Sequence, residues 1–404
     1  MNKNKNDILK YLDLSHQSTN IEKKDIILIS IVLIITTALI WLPIEFWILG
    51  ATSKSPRIVQ DSNTIRVKAR VLNVDNSNVL QTGIVRTGEQ YFEAKILKGE
   101  YEDKTVRTVN NLSGTMQLDT FFRENDDALI TVKIDSEGNI KRAQAVDHYR
   151  IDTEIILIAV FVFILILFAG WTGIKAALSF LFTAVFIWKI LLPGFLSGWN
   201  PIFIAFIVVS ILTFVIIFLI GGVNLRGLVA YIGSMIGIGL TAFFAIYFTN
   251  LMSIHGSVKE FSETLLYSGY DNLDLTKIFI AGIFLASSGA VMDIAMDISA
   301  SMAEIKVNKA DIPLWKHIQS GFVVGRAVIG TMTTTLLLAY SGGYTTLLMM
   351  LIAQGTPLIN IFNLRYVAAE FVHTIVGTFG LVLVAPITAI VGGFIYAYWQ
   401  PKQE

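Results

Sequence analysis

Two aspartates stand within an otherwise apolar stretch, where a carboxylate is costly. The segment Gly289 to Met302 contains Asp293 and Asp297, and Ser301 and Glu304 continue the same spacing. Side chains four residues apart share one face of a helix, so these groups form a single stripe. A carboxylate at the bilayer centre costs about 2.5 to 3.5 kcal/mol on insertion scales. We therefore expect this stripe to face a neighbouring helix or water, and Asp293 and Asp297 to couple an ion.

Three more ionisable residues in the apolar region are candidates for the same ion-coupling site. Arg326 carries a planar guanidinium that can bind a carboxylate through two hydrogen bonds, and we expect it to pair with Asp293 or Asp297. The alternative is that its side chain extends to the lipid headgroups. Glu370 and His373 lie one turn apart on one helix face, a titratable pair that suits proton transfer. If that helix starts near residue 365, both lie in its first, interfacial turns.

The composition of the chain indicates that much of it lies in a lipid bilayer. Of 404 residues, 54% are hydrophobic and 15% charged, and several windows of more than 18 residues are almost uncharged, which predicts a polytopic membrane protein. The net charge is zero, so nothing suggests a nucleic-acid partner. There are no cysteines, which excludes disulfides and thiolate chemistry. The sequence has neither a phosphate-binding P-loop nor a Gly-x-Ser-x-Gly motif, and Glu370 and His373 lack a third metal ligand, so we expect no cofactor and no enzyme.

The order of polar and apolar stretches predicts four parts. Residues 1–25 form a lysine-rich cytoplasmic tail, residues 26–49 a first transmembrane helix, residues 50–150 an extracytoplasmic β domain, and residues 151–404 a helical membrane domain. The flanking lysines place the N-terminus in the cytoplasm by the positive-inside rule. We expect a multi-pass protein of the cell membrane whose partners are the lipid bilayer and other membrane proteins, further copies of this chain included.

Alternating side chains predict strands in the β domain. Thr64 to Leu72 and Ala128 to Ile134 alternate with period two and are rich in β-branched residues. Gln90 to Leu97 and Lys104 to Val109 add two more strands. A small β-barrel or β-sandwich of five or six strands fits this pattern.

Long apolar stretches predict eight or nine transmembrane helices in the whole chain. Gly233 and Gly237 form a small-xxx-small pair, which lets a neighbouring backbone approach closely. The clearest spans after the β domain are Ile155 to Gly170, Ile174 to Leu192, Pro201 to Ile220, Leu228 to Thr249, the stretch from Leu275, Gly321 to Tyr340 and Val367 to Trp399, with a short piece at Thr345 to Ala353.

Several of these motifs resemble one family. The segment Ser288 to Met296, the pair Gly325-Arg326, and the segments Thr334 to Tyr340 and Gly377 to Pro386 are similar to the YibE/F family of multi-span proteins. The likeness extends to the order of parts, an anchor, an external β domain and a helical block. It implies the same architecture and leaves the activity open.

A weaker likeness is to the membrane halves of SecD/SecF and resistance-nodulation-division proteins. The positions that carry it are Gly289, Asp293, Arg326, Thr331, Thr333, Thr334, Thr335, Leu336, Gly377 and Thr378. In that superfamily, membrane-embedded acids take up protons or sodium and drive movement of an external domain. Carried over, Asp293 is the protonation site and Arg326 its electrostatic partner.

Three functional hypotheses follow. The first is a membrane transporter or export accessory driven by protons or cations through Asp293. The second is a divalent-metal exporter with Asp293, Asp297, Met292, Met296 and His373 as ligands, a mixed set that identifies no metal. The third is a scaffold or signalling protein without transport, whose polar intramembrane residues fix helix packing.

Overall fold

A computed structural model describes residues 23–42 and 63–398 of the chain. The predicted tail lies outside the described residues as far as residue 22, and so do residues 43–49 of the predicted first helix. The described residues divide into two compact units that meet in sequence between Ile164 and Leu165. One unit contains the β domain and the other the helical core.

The β domain is a closed barrel of five strands in the order β1-β2-β3-β5-β4. Neighbouring strands are antiparallel except β3 and β5, which pair in parallel at Thr108 with Ala143 and at Val109 with Gln144. This order is that of the OB-fold, a five-stranded Greek-key barrel. The predicted barrel of five or six strands is confirmed. The strands are β1 Thr64–Thr82, β2 Val85–Ile96, β3 Thr105–Ser113, β4 Asp127–Ile134 and β5 Ile140–His148.

Alternation along the strands produces the barrel core. In β4, Ala128, Ile130 and Val132 are fully buried while the residues between them are partly exposed, because successive side chains of a strand point to opposite faces. Strand β1 continues past the predicted end at Leu72 to Thr82, with two irregularities in its register against β2.

Asp147 closes the end of β5 with three hydrogen bonds. Its carboxylate accepts from Arg150 Nη1 at 2.6 Å, from Thr120 Oγ1 at 2.7 Å and from the backbone N–H of His148 at 2.7 Å. The bond from Arg150, the largest influence, lowers the pKa of Asp147 to about 2, although partial burial opposes the shift.

The remaining described residues are mostly helical. The first helix, α1, begins at Lys23 and ends at Trp41, before the barrel. After the barrel, α2 continues through a π-helical turn, Ile187–Leu191, into α3. The helices after the barrel are α2 Ile151–Phe186, α3 Leu192–Leu196, α4 Pro201–Gly221, α5 Leu225–Leu251, α6 Ser262–Tyr267, α7 Leu275–Asn308, α8 Leu314–Ser341, α9 Thr345–Ala353, α10 Leu358–Asn363 and α11 Arg365–Ala397.

Six helical stretches among the described residues are long and apolar enough to cross a membrane, so the chain is a multi-pass membrane protein. The prediction of eight or nine was too high. Two predicted spans fall in one stretch of 46 residues, Ile151–Leu196, and the short piece at Thr345 continues the stretch Leu314–Ala353. The apolar part of α1 within the described residues, Asp25–Trp41, is shorter than these six stretches and belongs with apolar helices of 10–17 residues.

Helix α2 is interrupted at Gly170, which has the non-helical angles φ 53° and ψ −124°. A Cβ on Gly173 would lie 2.4 Å from the carbonyl oxygen of Leu165. In a straight helix, residues eight apart are separated by about 12 Å along the axis. The chain therefore bends sharply here, between the two predicted spans that the stretch contains.

The core of the helical unit is formed by α5, α7 and α11, which pack through small residues. A Cβ on Gly233 would lie 2.2 Å from Thr388 Oγ1, and one on Gly380 would lie 2.0 Å from Thr241 Oγ1. Only glycine allows the helices to approach this closely. The predicted close contact at Gly233 and Gly237 is confirmed.

Candidate functional site

The two aspartates of α7 lie on its exposed face. Asp293 is near the middle of this helix of 34 residues, and both it and Asp297 are exposed. Their neighbours Met292, Ile294 and Ile298 are buried against the other helices. As predicted, the two aspartates share one face of α7. Within this unit, α7 packs against the other helices through its opposite face.

The expected ion pair with Arg326 is not formed. Within the described chain, no salt bridge joins Arg326 to Asp293 or Asp297, and its side chain is exposed. The packing of the preceding residue explains why the pair does not form. Gly325 is buried at the helix contact, where a Cβ would lie 3.0 Å from Ala385 Cβ and 3.3 Å from Ile298 Cδ1. Since one residue rotates by about 100° around a helix, Arg326 leaves that contact.

The hydroxyls of α8 bond to their own helix. Thr331, Thr333 and Thr335 donate to the carbonyl oxygens of Val328, Ile329 and Thr331 at 3.0–3.1 Å. Such bonds to the preceding turn are common for threonine in helices. The hydroxyl hydrogens of these three side chains are therefore used within the helix.

Glu370 is a largely buried carboxylate that accepts two side-chain hydrogen bonds. Helix α11 begins at Arg365, so Glu370 lies about 8 Å from its start, which agrees with the interfacial alternative. Its side chain is 12% exposed. Oε1 accepts from Lys259 Nζ and, at 2.5 Å, from the hydroxyl of Tyr344. One oxygen of the carboxylate therefore accepts from both an ammonium and a phenol.

His373 lies one turn after Glu370 and faces it. Its Nδ1 is 3.7 Å from Glu370 Oε2, which is too long for a hydrogen bond. Both ring nitrogens are buried and have no hydrogen-bond partner in the described part of the chain. The ring stacks on Tyr340, with centroids 4.6 Å apart and planes inclined by 30°. An imidazole in this position has a free nitrogen directed at a carboxylate.

Two tyrosines bring the end of α8 into the site. Tyr340 lies in its last turn, and Tyr344 follows in a short 3-10 turn, Gly342–Tyr344. The hydroxyl of Tyr340 is also buried without a hydrogen-bond partner among the described residues. The spacing of four places both rings on one side of the helix, next to α11.

A loop supplies the cation. Lys259 follows the 3-10 turn Gly256–Val258, between α5 and α7. Its ammonium lies 3.4 Å from the Tyr344 hydroxyl and 5.6 and 5.8 Å from the ring centroids of Phe279 and Tyr344, within cation–π range. Sequence analysis missed Lys259, Phe279 and both tyrosines. Only the spacing of the two tyrosines, four apart at a helix end, was a usable signal.

The residues considered for a metal site are not brought together. Across residues 23–42 and 63–398, no three His, Asp or Glu side chains form a group that could hold a metal ion. Met292 is buried, whereas Asp293 and Asp297 are exposed on the other face of α7. The site that the structure does assemble is a carboxylate, an imidazole, two phenols and an ammonium.

Comparisons with known proteins identify the family. Residues 157–398 match the model of the YibE/F-like protein family, and residues 64–148 match the model of the YibE/F family N-terminal domain. No curated protein and no solved structure matches the chain. Neither family match supports the likeness to SecD/SecF. The two matches cover the barrel and most of the helical unit, and the chain belongs to the YibE/F family.

Proposed function

We propose that this protein is a membrane transporter or export accessory driven by protons or cations, and that Glu370 and His373 are its coupling pair. The observation that carries the proposal is the buried imidazole of His373, with both ring nitrogens unbonded and Nδ1 3.7 Å from Glu370 Oε2. An imidazole nitrogen without a hydrogen-bond partner can accept a proton. A proton that enters at this point therefore changes the charge of the site by one unit where water is scarce.

Gaining that proton has a direct local consequence. Protonated His373 has an N–H on both nitrogens, and it can donate to Glu370 Oε2. The carboxylate then has a second cation and holds Lys259 less tightly, because the attraction of one negative charge is shared by two positive ones. Protonation is thereby coupled to the position of the loop that carries Lys259. Such a link between proton and loop is what an ion-driven transporter requires.

Asp293 remains a second element of the proposal. Its exposed position on α7 leaves the carboxylate for a water path or for another membrane protein to cover. Arg326 is likewise exposed, and Asp297 lies one turn below Asp293. The three charges supply a polar surface in the helical region that a lipid chain does not satisfy.

The metal-exporter alternative has less support, because its ligand set is dispersed among the described residues. The proposal includes a location in the cell membrane, a cytoplasmic N-terminus and no enzymatic activity. The ion pair of Lys175 with Asp25, at 2.6 Å, brings the start of α1 and Lys175 of α2 close together, and the proposed orientation rests on the lysines of the N-terminal tail.

The test is proton movement into vesicles. Purified protein is reconstituted in liposomes that contain a pH-sensitive dye, and a potassium gradient with valinomycin imposes an inside-negative potential. We expect acidification in the wild type and a loss of at least tenfold in its rate for His373→Gln and Glu370→Gln. His255→Gln and Glu263→Gln, which alter exposed residues of the loop, are the matched controls. Wild-type vesicles that acidify no faster than protein-free ones would overturn the proposal.

A further inference from the structure

The cluster around Glu370 has the composition of a cation-binding site, and one of the chain's own side chains fills it. Lys259 Nζ contacts Glu370 Oε1, lies 3.4 Å from the Tyr344 hydroxyl, and faces the rings of Phe279 and Tyr344. One carboxylate, one hydroxyl and two aromatic faces are the groups that bind an alkylammonium ion. The occupant is itself an alkylammonium group, the end of the Lys259 side chain, and the loop that carries Lys259 is its tether.

The tether comes from a strained loop. Two of its residues, Ser253 and Phe261, have φ of 50° and 60°, a left-handed conformation that non-glycine residues rarely adopt. Phe261 is also 74% exposed. The loop that carries Lys259 thus has an unfavourable backbone conformation on both sides of the lysine.

The exposed fractions of the Lys259 and Glu370 side chains indicate from which direction the site is reached. The side chain of Lys259 is 37% exposed, whereas that of Glu370 is 12% exposed. The lysine therefore lies on the solvent side of the carboxylate and covers it. When it leaves, the carboxylate and the phenol of Tyr344 remain as an anionic site that is reached from solution.

We propose that this site binds a primary alkylammonium ion and that Lys259 is a tethered competitor that occupies it in the resting protein. The identity of the ligand as transported cargo rests on the proposed function, whereas binding itself does not. Primary ammonium groups occur in free amines and in the headgroup of phosphatidylethanolamine, and the site chemistry is the same for both.

The experiment removes the ammonium side chain of Lys259 and supplies a free alkylammonium ion instead. Lys259→Ala removes Cγ to Nζ, the atoms that n-propylammonium supplies. Binding is measured by calorimetry on protein in phosphatidylcholine nanodiscs, with n-propanol as the uncharged probe. A flexible tether gives an effective concentration of about a millimolar or more. We therefore expect Lys259→Ala to bind n-propylammonium at least about tenfold more tightly than the wild type, and n-propanol not at all.

Two variants show whether the cluster is responsible. Lys259→Ala with Glu370→Gln should lose the binding, and Lys277→Ala, which removes the lysine of an exposed ion pair with Asp274, should behave as the wild type. Equal affinity in Lys259→Ala and the wild type overturns the inference, and so does binding that persists without Glu370. Where Lys259→Ala does not fold alone, its recovery as a monodisperse peak in n-propylammonium but not in n-propanol supports the site, and equal failure in both overturns it.

A further arm separates the two sources of the ammonium group. Competition by phosphatidylethanolamine in the nanodisc assigns the site to a lipid headgroup, and its absence assigns it to a free amine. Both outcomes support the site. The readouts also separate the two proposals, because amine binding without proton movement refutes the proposed function alone, and proton movement without amine binding refutes this inference alone.

Discussion

The ring of Tyr340 lies over the ring of His373, with centroids 4.6 Å apart, while its hydroxyl has no hydrogen-bond partner among the described residues. Tyr340→Phe keeps the stacked ring and removes a buried group that lacks a partner. We expect its free energy of unfolding to stay equal or to rise by about 1 kcal/mol. Tyr340→Leu loses the stack, and its free energy of unfolding should be about 0.5 to 1.5 kcal/mol lower than that of Tyr340→Phe. Thermal unfolding in detergent, followed by tryptophan fluorescence, compares the two, and equal stabilities would contradict the stacking argument.

The exposed carboxylate of Asp293 leads to a second prediction. Asp293→Asn keeps the size of the side chain and removes the charge change on protonation. We expect insertion and folding as in the wild type and a fall of at least tenfold in vesicle acidification. Glu304→Gln, farther along the same stripe and also exposed, is the control and should retain its rate. Normal acidification by Asp293→Asn would remove this residue from the mechanism.

The close contact between α5 and α11 leads to a third. A Cβ at Gly380 would lie 2.0 Å from Thr241 Oγ1, whereas nothing lies within 4 Å of one at Gly282. Gly380→Ala should therefore lower the free energy of unfolding by about 1 to 3 kcal/mol, the usual cost of overpacking. Gly282→Ala should leave it unchanged or raise it, since alanine favours helix. The melting temperatures of the two variants in the same detergent provide the measurement, and a matched fall in both would be evidence against the packing.

The hydrogen bonds of Asp147 make the barrel sensitive to acid. Its pKa is about 2 in the folded protein against an ordinary value of 3.8. A lowered pKa stabilises the fold at pH above 3.8, and this contribution is lost as the pH falls towards 2. Asp147→Asn should weaken the pH dependence of barrel unfolding between pH 4 and 2, measured by near-UV circular dichroism on the intact protein. Asp103→Asn, at a side chain that is 77% exposed, is the control, and an unchanged pH profile in Asp147→Asn would contradict the assignment.

Local pattern was sufficient for much of the architecture. Alternation located the strands that begin at Thr64 and Ala128, because one face of each strand is buried and the other is not. The period of the helix placed Glu370 and His373 on one face. Both inferences depend on neighbours in the sequence, which a single chain displays directly.

Contacts between distant residues could not be obtained in this way. Lys259 and Glu370 are 111 residues apart, and no local pattern links a loop lysine to a carboxylate in another helix. The same limit explains the error at Arg326. Its charge suggested a pair with Asp293, but the pairing depends on which side of α8 meets α7, and the buried Gly325 decides that.

Closure of the barrel limits how this domain can meet another protein. Strand β4 pairs with both β1 and β5, and β3 pairs with both β2 and β5, so the described strands close into a ring. Strand β1 pairs with β4 only from Thr64 to Arg70, and its continuation from Asn73 to Thr82 pairs with β2 on one side. A peptide cannot be added where two strands of the ring already pair, whereas the extension of β1 has a side to which a peptide can be added as a strand, a common mode of recognition by open sheets. Around the ring itself, specificity is encoded in side chains and in the turns between strands, where sequence can change without loss of the fold.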